Sequence, residues 1–160
     1  MTQSLGTDKI VQIGIVVADV EATARAWSQL LGQPMPEIRI TDAYDFAGTE
    51  YDGAPTLARA RMAFLNVGQL DIELLEPLGE PSTWNDQLQQ HGTSLHHIAF
   101  DIAGMADKRA YLNGEGYRLI QRGEFEGGRY AYFDTQARLG GIVELLERGE
   151  AASAAEDGVR

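Results

Sequence analysis

Leu95-His96-His97-Ile98-Ala99-Phe100-Asp101 places imidazole side chains within an otherwise apolar strand. An earlier stretch, Val11-Gln12-Ile13-Gly14-Ile15-Val16-Val17, has the same pattern of a polar side chain that can bind a metal, followed by alternating apolar residues. Each stretch leads into a segment with helical periodicity. Gln12 and His97 therefore occupy equivalent places in two copies of one unit.

Each copy closes with an acid in the same setting. Glu73 lies in Ile72-Glu73-Leu74-Leu75-Glu76, and Glu144 lies in Val143-Glu144-Leu145-Leu146-Glu147. Alternation places each acid on a strand face with aliphatic neighbours. A carboxylate there needs a cation, a hydrogen-bond partner or a raised pKa. We therefore form the hypothesis that four residues converge on one metal ion: Gln12, Glu73, His97 and Glu144.

Each of these residues also has a purely structural interpretation. A strand histidine is often a hydrogen-bonded structural residue, a strand glutamine carries little signal by itself, and a glutamate in a terminal strand is usually exposed at the rim. Parity over 95–101 puts Ile98 and Phe100 on one face, which is expected to take the helix, and His97 on the opposite face. His96 could be a solvated partner, and the pair alone does not say which ring binds.

The pattern β-α-β-β-β occurs twice, which predicts an α+β fold built from two tandem modules. The first copy is predicted to contain a strand at 9–17, a helix at 20–31, and strands at 37–41, 57–67 and 70–76. The second is predicted to contain a strand at 95–102, a helix at 105–113, and strands at 117–122, 129–134 and 140–147. Asp19 and Gly32 are expected to begin and end the first helix.

These elements divide the chain into five predicted parts. They are a flexible N-terminus at 1–8, a first βαβββ module at 9–77, a linker helix at 78–94, a second βαβββ module at 95–147 and a disordered tail at 148–160. The segment 42–56 is long for a loop in a compact domain. It is either a lid over a site or a tolerated surface insertion.

The composition narrows the classes of function. A chain of 160 residues with a net charge of −11 fits one domain or two small fused modules and is a poor partner for nucleic acid. No apolar run approaches the roughly 20 residues of a membrane helix, so no membrane contact and a cytoplasmic location are expected. The absence of cysteine leaves Asp, Glu, His and Gln as metal ligands. Three oxygens and one imidazole suit a five- or six-coordinate ion that retains water.

At Gln12, Glu73, His97 and Glu144 the chain resembles the vicinal oxygen chelate superfamily of glyoxalases, bleomycin-resistance proteins and dioxygenases. The resemblance covers about residues 9–147 and is carried by four motifs: Gln12-Ile13-Gly14-Ile15-Val16-Val17-Ala18-Asp19, Ile72-Glu73-Leu74-Leu75-Glu76-Pro77, Leu95-His96-His97-Ile98-Ala99-Phe100 and Gly141-Ile142-Val143-Glu144-Leu145. The second and third are most similar to methylmalonyl-CoA epimerases. Those enzymes usually have His in place of Gln12, whereas Gln there is typical of zinc-dependent glyoxalase I.

The resemblance implies a cupped mixed sheet around a central divalent metal, with zinc favoured and nickel, cobalt or manganese as alternatives, commonly in a homodimer. It implies an isomerase, epimerase or lyase that transfers a proton next to a metal-bound carbonyl or enediolate of a small, possibly thioester, substrate. Glu144 would be both metal ligand and catalytic base, and Glu73 a second catalytic acid or base. A metal-free small-molecule binding or resistance protein is the alternative. An iron dioxygenase is disfavoured because Gln12 replaces a histidine ligand.

Four aromatic side chains are candidates to line a substrate pocket beside the predicted metal site: Tyr44, Phe46, Tyr51 and Trp84. Trp27 and Phe64 are expected to lie in the core. Arg61 either meets an anionic group of the substrate or is an exposed edge arginine.

Overall fold

A computed structural model describes residues 3–149 of the chain. Residues 1–2 of the predicted flexible N-terminus and 150–160 of the predicted disordered tail lie outside the described part. Arg148 belongs to the last strand, which therefore extends one residue further than expected.

The elements alternate along the chain as the sequence pattern indicates. The strands are β1 (Ile10–Val16), β2 (Arg39–Ile40), β3 (Glu50–Tyr51), β4 (Ala54–Pro55), β5 (Ala60–Asn66), β6 (Asp71–Pro77), β7 (Ser94–Asp101), β8 (Leu119–Phe125), β9 (Gly128–Phe133) and β10 (Ile142–Arg148). The helices are α1 (Val20–Leu31), α2 (Tyr44–Ala47), α3 (Thr83–His91), α4 (Met105–Gly114) and α5 (Gln136–Leu139).

Both ends of α1 have the predicted chemistry. The Asp19 side chain accepts a hydrogen bond from the backbone N–H of Ala22, which satisfies a donor of the first turn. Gly32 ends the helix in the left-handed conformation, with φ of 65°.

One mixed sheet contains these strands in the order β2-β5-β6-β1-β7-β10-β9-β8-β3-β4. The order β1-β6-β5-β2 in the first copy corresponds to β7-β10-β9-β8 in the second. The two copies meet where β1 pairs antiparallel with β7, and each of these strands is parallel to the closing strand of its own copy. The predicted α+β fold of two βαβββ modules is confirmed.

The sheet is curled, because β2 and β3 stand eight places apart in the strand order but are joined only by residues 41–49. Eight spacings in a flat sheet would span ~38 Å. A fully extended ten-step connection reaches only ~35 Å, and this one contains the helix α2. The two ends of the sheet must therefore approach each other, which produces a cup.

The long helices α1 and α4 pack on the outer face of the cup. α1 packs on the first copy through Val20 and Ala24, and α4 packs on the second through Met105 and Leu112. α3 places Trp84 in a further hydrophobic cluster at one end of the inner face, where it packs with Val16, Leu75, Tyr132 and Ile142. Within residues 3–149, neither α1 nor α4 covers the inner face of β1, β6, β7 and β10, so polar side chains there can form a site. None of the helices within residues 3–149 is long and apolar enough to cross a membrane.

The segment 42–56 differs from the predicted irregular loop. It contains α2, β3 and β4, and β3 pairs with β8 of the second copy. Two ion pairs fasten it there, Arg122–Glu50 at 2.7 Å and Arg118–Asp52 at 2.6 Å. Strands of two residues carry no readable periodicity, which is why the sequence did not predict this crossing. The helix α5, with four residues, is likewise too short to show helical periodicity in the sequence.

Candidate functional site

The structure brings the four predicted donor residues together on the inner face of the cup. They lie in two neighbouring rows across the sheet, each with one small residue between two donors: Glu73-Gly14-His97 and Gln12-Ala99-Glu144. The two rows are equivalent under the internal repeat. Because Gly14 and Ala99 have little or no side chain, the donors on either side can lean toward each other.

The donor atoms meet around Nε2 of His97. This nitrogen lies 3.1 Å from Oε1 of Gln12, 3.3 Å from Oε2 of Glu73 and 3.1 Å from Oε2 of Glu144. All four side chains are buried: Gln12 is 5% exposed, Glu73 8%, His97 2% and Glu144 3%. Two carboxylates, an amide and an imidazole thus share one small volume from which bulk water is largely excluded.

The electrostatics of the cluster couple His97 to the two acids. Burial opposes protonation of His97, but the adjacent Glu144 and Glu73 outweigh burial and raise its pKa to about 10. Burial likewise raises the pKa of the Glu144 carboxyl, against the opposing effect of His97. The raised pKa of His97 therefore favours a proton on its ring at neutral pH.

The Gln12 amide can face this cluster in two ways. With the NH2 group inward, it donates to Oε2 of Glu144 at 2.9 Å and to Oε2 of Glu73 at 3.2 Å, and it lies 3.1 Å from Nε2 of His97, which can accept only when it carries no proton. With its oxygen inward, the same position presents an acceptor to two carboxylates, which is favourable only if a positive charge lies among them. The oxygen-inward orientation therefore suits a protonated His97 or a bound cation, and the NH2-inward orientation suits a neutral His97.

Histidine and acidic side chains alone form no group of three arranged to hold a metal ion within residues 3–149. The Gln12 amide adds a fourth donor, and an oxygen of each of the other three side chains lies within 3.3 Å of Nε2 of His97. Ligands at ~2.1 Å from an octahedral ion stand ~3.0 Å apart at neighbouring positions. The separations of 2.9–3.3 Å within the cluster are those of hydrogen bonds, and they are also close to that spacing, so the four side chains would need to move little to surround an ion.

His96 is buried, in contrast to the solvated position considered from sequence. β1 pairs Gly14 with His97 but Ile15 with Leu95, so His96 is the extra residue of a β-bulge. The expected helix-facing side of this strand is also only partly covered. Phe100 packs against the hydrophobic cluster that contains Met105 and Leu112 of α4, whereas Ile98 is 41% exposed.

A directed chain of hydrogen bonds runs from His97 through His96. Oγ1 of Thr83 donates to Oε1 of Gln121 at 3.0 Å, so it must accept from Nε2–H of His96 at 3.2 Å. Nδ1 of His96 is then the acceptor for Nδ1–H of His97, 2.9 Å away. This arrangement leaves Nε2 of His97 as the nitrogen that faces Gln12 and the acids. Burial, followed by the charge of His97, holds the pKa of His96 well below its usual range, consistent with a neutral ring.

A cavity of about 470 Å³ opens above the cluster. Gln12, Glu73 and Glu144 line its floor, while His97 lies beneath. Its apolar walls are Met62, Phe64, Leu75, Trp84, Phe125, Tyr130, Tyr132 and Leu146. Arg39 and Arg148 contribute positive charge, and four acids outside the cluster contribute negative charge: Asp42, Asp71, Glu124 and Glu126.

The cavity wall differs in part from the sequence expectation. Of the four candidate aromatic residues, Trp84 lines the cavity and Tyr44, Phe46 and Tyr51 do not. Phe64 lines the cavity and is not a core residue, whereas Trp27 packs against the α1 core as expected. From segment 42–56, Asp42, Ala47 and Thr49 reach the cavity.

The arginines that line the cavity, Arg39 and Arg148, do not include the one singled out from sequence. Arg61 bonds to Glu21 at 2.7 Å and to Glu76 at 3.3 Å, and it is absent from the cavity lining. Tyr130 and Tyr132 were missed, although they alternate on the strand next to Glu144 and so share its face.

Comparison with known proteins identifies a family and a relative that this chain resembles. Residues 11–133 match the family model of the glyoxalase/bleomycin resistance protein/dioxygenase superfamily. The uncharacterized protein YqjC of Bacillus subtilis is 30% identical over 92 residues, which are 56% of this chain and 66% of that protein. The present chain therefore spans just under two thirds of that relative.

Solved structures share the fold. Methylmalonyl-CoA epimerase from Mycobacterium tuberculosis superposes with a TM-score of 0.66 at 21% identity, covering 96% of each chain. A single-substitution variant of the Streptomyces coelicolor methylmalonyl-CoA epimerase gives 0.60 at 23% identity, covering 88% of this chain and 96% of that one. The matched family model and the repeated βαβββ fold lead to one conclusion: the chain belongs to the glyoxalase/bleomycin resistance protein/dioxygenase superfamily.

Proposed function

We propose that the chain is a divalent-metal-dependent isomerase, epimerase or lyase that moves a proton at the carbon next to a substrate carbonyl. One observation carries this proposal. Side-chain donors from both modules meet within 3.3 Å of one histidine nitrogen on the floor of a cavity large enough for a small molecule. Membership of the superfamily and the fold shared with epimerases support an isomerase-like role.

The proposed metal ligands are Gln12, Glu73, His97 and Glu144. Two carboxylates balance the charge of a divalent ion while Gln12 and neutral His97 add none, so the occupied cluster is electrically neutral. Zinc is the first choice, with nickel, cobalt and manganese as alternatives. When bound, such an ion polarises a carbonyl group and acidifies the adjacent C–H.

Glu144 is the proposed base. Its burial raises the carboxyl pKa, which makes the ionised form a stronger proton acceptor than an exposed glutamate. Glu73 reaches the same nitrogen from the other module and is the proposed second acid or base. Two carboxylates on opposite sides of the cluster would allow a proton to be taken from one face of a carbon and returned to the other.

The cavity wall supports a carbonyl substrate with an apolar part. Leu75, Leu146 and Trp84 are apolar side chains of the cavity wall, and an apolar surrounding strengthens electrostatic interactions at the floor. A thioester is one such substrate. Methylmalonyl-CoA, bound in the solved structure of one epimerase with the same fold, is therefore the first probe.

We also propose a homodimer. Three aliphatic residues on the two central strands are exposed: Ile10, Leu95 and Ile98. A partner covering them would bury apolar surface that neither α1 nor α4 reaches.

A metal-free binding protein is the second candidate. It is favoured by the raised pKa of His97, because a protonated imidazole already satisfies both acids without a cation. The same apolar cavity would then hold a small molecule with no chemistry.

Two measurements separate these candidates. Elemental analysis and zinc titration of the full chain are expected to give one ion per chain, lost in Glu73→Ala, which removes a donor carboxylate altogether. Methylmalonyl-CoA in deuterated water with the zinc-loaded protein is expected to gain deuterium at the acidic carbon. Metal binding without exchange on this probe would exclude this thioester as substrate, whereas no metal binding at any ratio would favour the metal-free binder.

A further inference from the structure

Two tyrosines of β9 stand beside the donor cluster. Tyr132 is paired in register with Glu144, so their side chains are neighbours on the same face of the sheet. The Tyr132 ring also packs 5.0 Å from the His97 ring, centroid to centroid, and Tyr130 packs 5.0 Å from Tyr132. Both tyrosines line the cavity.

The scaffold fixes the direction of the Tyr132 hydroxyl. Nε1–H of Trp84 donates to its oxygen at 3.1 Å. An indole N–H cannot accept a hydrogen bond. Within the described residues, the indole is the hydrogen-bond partner found for this hydroxyl, so the phenolic proton is left to donate elsewhere. The ring is 2% exposed, and the cavity is the space available to it.

The Tyr130 hydroxyl receives a similar bond from Gln121. Oε1 of Gln121 accepts from the backbone N–H of Thr83 at 2.8 Å and from Oγ1 of Thr83 at 3.0 Å. The amide orientation is therefore determined, and its NH2 group donates to Tyr130 at 3.1 Å. Thr49, another cavity residue, also hydrogen-bonds this hydroxyl. Tyr132 is consequently the principal donor and Tyr130 the second.

The backbone makes room for this arrangement. Gly123 is paired with Tyr130, and a Cβ at Gly123 would stand 2.9 Å from Cε1 of the ring. Burial raises the pKa of both phenols, so they stay protonated and able to donate across the neutral range. Neutral donors in a water-poor site hold an oxygen that gains negative charge, and they need no reorganisation to do so.

We propose that the hydroxyls of Tyr132 and Tyr130 form a donor pair that binds the oxygen of a substrate carbonyl on the wall of the cavity beside Glu144. The inference rests on the proposed function in taking this oxygen to belong to the reacting carbonyl. It assigns the ligand class as ketones, thioesters and their enolates, which present such an oxygen next to an apolar group.

The probe is acetophenone, which combines a carbonyl with an apolar ring. Isotope-difference infrared spectra of carbonyl-labelled acetophenone would be recorded with the full chain as purified and again after chelation. The carbonyl stretch of the bound probe is expected at lower frequency in the wild type than in the Tyr130→Phe/Tyr132→Phe double variant, with and without metal. Loss of one neutral hydrogen bond in Tyr132→Phe should weaken binding about 3- to 10-fold.

Tyr111→Phe is the matched control, since Tyr111 of α4 packs against the hydrophobic cluster that contains Met105 and Leu112 and does not line the cavity. It should leave both frequency and affinity unchanged. Equal frequencies in the wild type and the double variant, or no saturable binding to the wild type, would overturn the donor pair. Because the spectra are also taken without metal, the frequency comparison tests the donor pair even if zinc does not bind. A failure of zinc to bind would contradict only the proposed metal dependence.

Discussion

Gly14 lies directly opposite His97 in the antiparallel pairing of β1 and β7, and a Cβ at Gly14 would stand only 1.9 Å from Cε1 of that imidazole. The three nearest atoms to this position all belong to the His97 ring. The glycine is thus needed for space and not for a left-handed backbone. The imidazole fills the volume that any other residue at position 14 would occupy.

Replacing Gly14 with Ala is expected to displace the His97 ring and to disperse the donor set. Zinc affinity should fall on the order of 10- to 100-fold, as for loss of a residue that orients a ligand. Overpacking should also lower the free energy of unfolding by about 1–3 kcal/mol. Competition with a chromophoric chelator measures the affinity.

Gly114→Ala is the control for this prediction. Gly114 lies at the end of α4, and a Cβ added there would meet no atom within 4 Å. This variant should keep the affinity of the wild type. An unchanged affinity in Gly14→Ala as well would mean that His97 can move without cost to the site.

Thr83→Val tests the hydrogen-bond chain that orients His97. Valine keeps the shape of Thr83 but removes the acceptor for Nε2–H of His96 and the donor to Gln121. Both histidine rings lose their fixed tautomers. We expect about a 10-fold loss of zinc affinity and a change in the nitrogen chemical shifts of His97. Thr23→Val on α1 is the control, and wild-type nitrogen shifts in Thr83→Val would contradict the chain.

Much of this site follows from alternation and repetition in the sequence. Gln12 and His97 begin equivalent strands and Glu73 and Glu144 close them, and strand parity alone puts these side chains on one face. The bulge at His96 could not be read in this way, because a bulge adds one residue without changing the apolar pattern around it. Parity continued along β9 would have identified Tyr130 and Tyr132.

The cavity wall was harder to predict, because it depends on the closure of the cup. Phe64 has the pattern of a core residue, yet it faces the opening created when the ends of the sheet approach. Thr49 reaches the cavity only because β3 crosses to β8, a long-range pairing that no local pattern signals. Arg61 was a plausible anion ligand by position, but Glu21 and Glu76 lie close enough to bind it.

The pKa of His97 gives a signed dependence on pH. Its folded-state value of about 10 lies above the ordinary 6.5, so the protonated ring stabilises the metal-free fold. That contribution is complete below about pH 6.5 and is lost as the pH rises toward 10. The free energy of unfolding of chelated protein, from urea titrations, should therefore fall between these values.

Zinc affinity should change in the opposite direction over the same range. Coordination requires Nε2 of His97 without its proton, so each unit of pH below 10 costs up to tenfold in affinity. Isothermal titration in buffers of different ionisation enthalpy should detect about one proton released per ion. A release near zero at pH 7.5 would show that His97 is neutral in the metal-free protein.

Glu144→Gln separates metal binding from proton transfer. The amide keeps the size of the side chain and one oxygen for the ion, but it cannot accept a proton from carbon. Loss of a positioned general base lowers rates on the order of 100- to 10,000-fold, so deuterium incorporation into methylmalonyl-CoA should fall by at least 100-fold. Glu115→Gln, an exposed position at the end of α4, should exchange at the wild-type rate.

Circular dichroism and zinc titration of the Glu144→Gln protein complete the test. Glu144→Gln removes one of the two acids paired with His97 but also relieves the desolvation cost of a buried carboxylate, and Glu73 stays paired with the ring, so the melting temperature should not fall by more than a few degrees. A folded, zinc-binding variant that still exchanges deuterium at the wild-type rate would transfer the role of base to Glu73. The Glu73→Gln variant would then be expected to lose the exchange, since Glu73 is the other carboxylate in contact with Nε2 of His97.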